Sequence, residues 1–212
     1  MPLPFTADQF HGVFRTYNET VWPAQWGLSG LALAILFFAA RPRPWSGAAV
    51  SGALAVLWSW MAFAYHLAFF AAINPLAYAF AAVSAAGAGA FFWYGTIRRR
   101  LAFRIRFRGC GAAGVALVLF ALLGYPAWSV LAGRAYPELP TFGLPCPTTL
   151  FTIGVLACAV PPMPKPVLAV PVLWCLVGAQ AAFLLGVPQD LGLLAAAALG
   201  LAMLLRTGKA LP

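Results

Sequence analysis

Polar side chains in this chain fall in short clusters, and long apolar runs separate them. Seven such runs lie at about 20–40, 47–70, 76–96, 110–132, 148–163, 167–187 and 190–206. Each is near the ~20 residues a helix needs to cross a bilayer. The pattern predicts an all-α integral membrane protein with seven transmembrane helices. The stretch before the first run is patterned differently. Over residues 6–18, Phe10, Val13, Phe14 and Tyr17 recur at helical spacing on one face. Thr6 followed by Gln9 has the form of a capping box. A short amphipathic helix lying along the membrane surface is expected there.

Composition strengthens the reading: 63% of residues are hydrophobic and 8% are charged, against about 25% charged in ordinary soluble domains. The net charge of +9 does not point to nucleic acid, because the basic residues sit at the ends of apolar runs, where they act as orientation signals. Eleven of the thirteen Lys and Arg residues fall on one side of the predicted bundle. Only Arg15 and Arg134 fall on the other, together with all four acids, Asp8, Glu19, Glu138 and Asp190. The count predicts an outside N terminus and a cytoplasmic C terminus in a bacterial inner membrane. Trp22, Trp26, Trp45, Trp93, Tyr94, Tyr125 and Trp128 lie near run ends, as an aromatic belt would. The first twenty residues show no apolar core of a signal peptide.

The expected plan is a single transmembrane domain. A surface segment (1–18) precedes a first three-helix half (20–97) and a basic cytoplasmic loop (98–109). A linker helix (110–132), an outer loop (133–147) and a second three-helix half (148–206) follow. In the basic loop, Arg98, Arg99, Arg100, Arg104, Arg106 and Arg108 are expected to meet anionic lipid headgroups, since juxtamembrane basic clusters are drawn to them. The outer loop carries Pro137, Pro140, Pro145 and Pro147, which exclude helix from most of it.

Polar residues inside apolar runs are costly and therefore single themselves out. His66 is the one histidine within a run, and Tyr65 precedes it. Asn74 and Asp190 close or open runs at the outer side, where helix capping is the simpler role. Cys146, Thr148 and Thr149 stand at a proline-started helix entry. His66 and Cys146 could bind a metal or haem, but neither has a partner at metal-ligand spacing, and a passive thiol and a hydrogen-bonded histidine are the plainer readings. No lysine lies within a run, which excludes a retinal Schiff base. No Walker, GxSxG or HExxH motif occurs. The sequence names no cofactor, and enzymatic activity is the less favoured expectation.

Val56-Leu57-Trp58 and Val172-Leu173-Trp174 match at an offset of 116 residues, an offset that also pairs Ala64 with Gln180 and Asn74 with Asp190. A parallel three-plus-one-plus-three repeat follows if the match is structural. That architecture resembles the SWEET sugar transporters and the related PQ-loop proteins. The resemblance is to architecture only, because the single Pro-Gln pair, Pro188-Gln189, lies outside the helices where that family carries it. The strings Tyr65-His66, Phe69-Phe70, Ile73-Asn74-Pro75 and Pro140-Thr-Phe-Gly-Leu-Pro-Cys-Pro-Thr-Thr149 resemble an uncharacterised family of bacterial polytopic membrane proteins, over nearly the whole chain. That resemblance implies topology and no chemistry.

The leading expectation is binding or transport of a small solute in a cavity that opens to the outer face. Its lining would draw on Trp58, Tyr65, His66, Asn74, Thr148, Thr149, Trp174, Gln180 and Asp190. The alternatives are a metal- or haem-binding redox protein using His66 and Cys146, and an accessory subunit of a larger membrane complex. A homo-oligomer is also left open.

Overall fold

The computed structural model describes residues 4–206. The first helix, α1 (Ala7–Thr20), begins with the capping box: Gln9 N–H donates to Thr6 Oγ1 at 3.2 Å, and Thr6 N–H donates to Gln9 Oε1 at 2.8 Å. It is followed by α2 (Ala24–Ala40), bent 89° from α1. The remaining helices are α3 (Ser46–Ala72), α4 (Ala77–Ile97), α5 (Cys110–Leu131), α6 (Pro145–Ala157), α7 (Lys165–Leu184) and α8 (Pro188–Arg206). Five of them, α3, α4, α5, α7 and α8, are long and apolar enough to cross a membrane, and the bent pair α1–α2 would make a sixth.

The run expected at 148–163 takes a different form. Its helix starts three residues earlier and stops at Ala157, giving 13 residues, or roughly 20 Å at 1.5 Å per residue. From Pro145 to Leu156 every residue except Cys146 is buried. A helix that is apolar all round belongs in an interior, and α6 forms the centre of the bundle. In its irregular continuation at 158–164, Cys158 and Met163 are buried and Pro161 and Pro162 are exposed.

The helices pack as two groups, α2–α4 and α5–α8, with α6 in contact with α5, α7 and α8. Small residues set the closest approaches. A Cβ on Gly114 of α5 would meet Gly154 O at 2.5 Å, and one on Gly154 of α6 would meet Gly114 O at 2.6 Å. Between the groups, Gly87 of α4 lets Trp58 of α3 and Val170 of α7 close in; a Cβ there would meet Trp58 Cε3 at 2.6 Å. Trp58 Nε1 donates to Thr152 Oγ1 of α6 at 3.1 Å.

The basic loop after α4 is an extended strap across one end of the bundle. Leu101 and Phe103 point inward and are buried, while Ala102, Arg104 and Arg106 alternate with them toward the exterior. Three bonds tie its backbone to two elements, the segment after α6 and the end of α2. Arg104 N–H donates to Cys158 O at 2.9 Å, Val160 N–H to Ala102 O at 2.8 Å, and Ile105 N–H to Ala39 O at 3.3 Å. Arg98, Arg99, Arg100, Arg104, Arg106 and Arg108 are all exposed.

At the other end, α1 lies over the bundle. Its apolar face is covered by the bundle's own outer end rather than left for lipid: Phe10, Phe14 and Tyr17 pack with Tyr65, Phe70, Leu144 and Leu185. Polar bonds fasten it. Asn18 Nδ2 donates to Pro137 O at 2.6 Å and to Leu139 O at 2.8 Å, and its Oδ1 accepts from Thr141 Oγ1 at 2.7 Å. Arg15 pairs with Glu138, which Arg134 also approaches at 3.8 Å. The Arg15 guanidinium, by hydrogen bond and by charge, holds the Glu138 carboxyl below its ordinary range.

Candidate functional site

Under α1 lies a cavity of about 180 Å³. Five helices form its walls, one of them α5 through Tyr125. The end of α3 contributes Tyr65, His66 and Phe70, and the start of α4 contributes Phe80. The start of α6 brings Cys146, and α7 brings Trp174 and Gln180. Phe5, Phe10 and Phe14 roof it, together with Pro140 and Leu144 of the outer loop.

Local backbone aims these side chains. From Met61 to Leu67, α3 widens into a π-helix, a form that often marks functional positions. Consecutive residues Tyr65 and His66 both turn inward there and are buried. The α3 helix then ends, and Asn74 Oδ1 accepts from Leu76 N–H at 3.0 Å, so this asparagine starts α4. The α7 helix breaks after Gly178 and resumes at Ala181, which puts Gln180 at the mouth of the cavity.

Polar chemistry in the cavity is sparse, and two of its side chains, His66 and Trp174, are unpartnered. His66 is 1% exposed, and neither ring nitrogen has a hydrogen-bond partner. Trp174 is 5% exposed, its Nε1–H has no partner, and its ring centroid lies 4.9 Å from that of His66. Most buried polar atoms in native proteins are paired. Among the described residues eight buried side-chain polar atoms lack partners, and three of them belong to this one His–Trp pair. Phe70, Phe80 and Tyr65 enclose the imidazole, with centroids 6.2, 5.9 and 5.2 Å away.

A second cluster continues outward from the wall residues Tyr125 and Cys146. Tyr125 Oη–H donates to Asp190 Oδ1 at 2.5 Å, with the Cys146 thiol beside both. Gln189 Nε2 donates to Ser129 Oγ at 2.9 Å. Tyr125, expected in the aromatic belt, is instead buried. The reason is its hydroxyl, which finds the one buried carboxyl of the described residues. Trp22, Trp26, Trp45, Trp93 and Trp128 are exposed, as belt residues would be.

The residues expected to line one cavity therefore divide. Tyr65, His66, Asn74, Trp174 and Gln180 come together in it, with Cys146. Asp190 stands behind Tyr125. Thr148 and Thr149 are buried on the central helix outside the lining, and Trp58 is packed against Phe91 and bonded to Thr152. His66 and Cys146 line the same cavity, but among the described residues no group of three or more His, Cys, Asp or Glu side chains converges. One imidazole and one thiol fall short of the three or four ligands a zinc-type site draws from protein. The aromatic walls, Phe10, Phe14, Phe70 and Phe80, were not anticipated. The i, i+4 pairs Phe10–Phe14 and His66–Phe70 were the available signal.

Fold and site together define a class: an all-helical membrane protein whose apolar cavity holds an unpaired histidine and tryptophan. Residues 7–210 match DUF6064, a family of unknown function, and the chain belongs to that family. No curated protein and no solved structure matches it.

Proposed function

We propose that the protein binds a small, neutral solute in the cavity beneath α1, with no chemical conversion. The chain would cross the bacterial inner membrane seven times, α2 and the short α6 included. The N terminus would be outside, and the basic strap would lie on anionic cytoplasmic headgroups. The observation that carries the reading is the unpaired His66–Trp174 couple in a largely apolar cavity. A neutral imidazole has one donor and one acceptor, and the indole adds a donor. A solute with a hydroxyl or carbonyl would satisfy groups that the fold leaves open, and leaving such groups empty costs about 1–3 kcal/mol each. An apolar cavity of roughly 150 Å³ takes a molecule of benzene's size, so a single ring or a short chain fits. Cations are disfavoured because no acid lines the cavity. Transport would follow if the two helix groups rock about this site, as in parallel-repeat carriers.

The test is the thermal midpoint of the detergent-purified protein titrated with phenol, indole and cyclohexanol, for wild type, His66→Leu and Trp174→Phe. A saturable rise that weakens about tenfold in either variant is expected, the equivalent of one lost hydrogen bond of roughly 1.4 kcal/mol. Equal shifts in all three proteins, or none in wild type, would refute it.

A further inference from the structure

The cavity is not exposed evenly. Among its lining residues only three are exposed: Leu76 at the start of α4, and Gln180 and Leu184 at the end of α7. Leu76 is 60% and Leu184 56% exposed. Of the half-exposed lining residues, Phe80, Val177, Gly178 and Ala181 belong to the same two helices, and Cys146 belongs to α6. Every residue of the roof, Phe5, Phe10, Phe14, Pro140 and Leu144, is buried. The side toward water is thus closed by α1 and the outer loop. The side between α4 and α7 is open.

These two helices are both long and apolar enough to be spans, so the open side faces lipid. They touch at mid-depth, where Gly87 meets Val170, and Phe80 still meets Trp174 at 5.3 Å between centroids. Beyond that layer Leu76 and Leu184 are the exposed lining residues of the two helices.

We propose that the ligand is a bilayer-dissolved neutral amphiphile. Its hydroxyl or carbonyl head would sit at His66 and Trp174, and its alkyl tail would run out between α4 and α7 into the membrane. The inference rests on the solute-binding reading and adds the ligand class and the route. A cavity of about 180 Å³ holds the head and the first carbons, and lipid beyond the open side holds the rest. Lipid solvates such a tail without cost, whereas the closed aqueous side offers it no path.

The probe is 1-decanol carrying a diazirine at its tail end, photolysed with the full chain in nanodiscs and mapped by peptide mass spectrometry. Adducts are expected on 76–84 and 177–184, competed by unlabelled 1-decanol. In the double variant Leu76→Trp, Leu184→Trp, labelling there should fall at least fivefold. Both positions are exposed, so the substitutions leave the core untouched. Phenol binding to wild type and to His66→Leu, measured in parallel, reads the cavity independently of the route. Adducts on α1 or the outer loop would overturn the route, as would non-competed adducts spread over all lipid-facing helices. If phenol still binds in a His66-dependent way, only the lipid route falls. If phenol does not bind wild type, the solute-binding reading falls with it.

Discussion

The roof of the cavity depends on one buried side chain, Asn18. Its amide donates to two outer-loop carbonyls, Pro137 O and Leu139 O, and accepts from Thr141 Oγ1. Its own carbonyl also receives Gln25 Nε2 at 2.9 Å. Asn18→Leu keeps the volume and removes the three side-chain bonds. A net 0.5–1.5 kcal/mol per bond gives about 1.5–4.5 kcal/mol. The lower half of that range is expected, because Pro137 and Leu139 are half-exposed and water can reach their carbonyls after the change. About 2 kcal/mol corresponds to a roughly 30-fold higher population of the detached roof. Hydrogen exchange reads this directly. Amides of α1 and of 137–144 should exchange roughly 30-fold faster in Asn18→Leu, while those of α6 and α8 should not change. Less than a threefold change in the roof would refute the latch. An equal acceleration throughout the bundle would refute it too, because it would make Asn18 a part of global stability rather than a local fastening.

Two further predictions concern the same bundle. Gly114→Val and Gly154→Val drive side chains into facing backbone oxygens and should each lower stability by about 1–3 kcal/mol; Gly89→Ala, whose Cβ meets nothing within 4 Å, should leave the thermal midpoint unchanged or raised. The roof should also loosen in acid. Glu138 is held below its usual value of 4.5 by its bond to Arg15, so that support is complete above pH 4.5 and is lost as pH falls below it. Burial lowers His11 from 6.5, which acts in the same direction but begins at a higher pH. Exchange of 137–144, corrected for its intrinsic pH dependence, should therefore rise below pH 6.5 and again below 4.5, with the second rise absent in Glu138→Gln.

Periodicity made much of this molecule legible. The apolar face of α1 and its cap could be read because a 3.6-residue repeat and a Thr–x–x–Gln spacing are local signals. The strap carries apolar residues and cations in alternation from Phe103 to Arg108, the period-two pattern of an extended segment. What periodicity could not give was the depth of each run. Residues 148–163 have the hydropathy of a span, yet their helix is short and central, and only its partners, Gly114 and Trp58 among them, reveal that. Partner choice was equally opaque. Glu19 stood nearest Arg15 in sequence, but Arg15 reaches Glu138 across the outer loop. Tyr125 looked like a belt residue and instead meets Asp190. Both pairings join residues far apart in sequence, and no local pattern encodes them.

Trp58 and Trp174, matched at the 116-residue offset, sharpen what the cavity means. Both are buried, and Gly87 of α4 lies between Trp58 and Val170 of α7. For Trp58 the fold supplies an acceptor, Thr152 Oγ1, which in turn donates to Thr148 O at 2.7 Å. For Trp174 it supplies none, although the His66 ring is only 4.9 Å away and holds an acceptor nitrogen. Direct pairing of the two would close the polar account within the protein and fill part of the space. Instead both face the same void, ringed by phenyl groups that can accept no conventional hydrogen bond. The same bundle satisfies the indole nitrogens of Trp58 and Trp60, the latter through Tyr17 Oη at 2.7 Å. Failure at Trp174 is therefore local, and it falls where the wall is open to lipid. Packing alone would favour an apolar side chain at both positions. A histidine and a tryptophan held apart in an apolar cavity are what a site for an amphiphile's polar head requires.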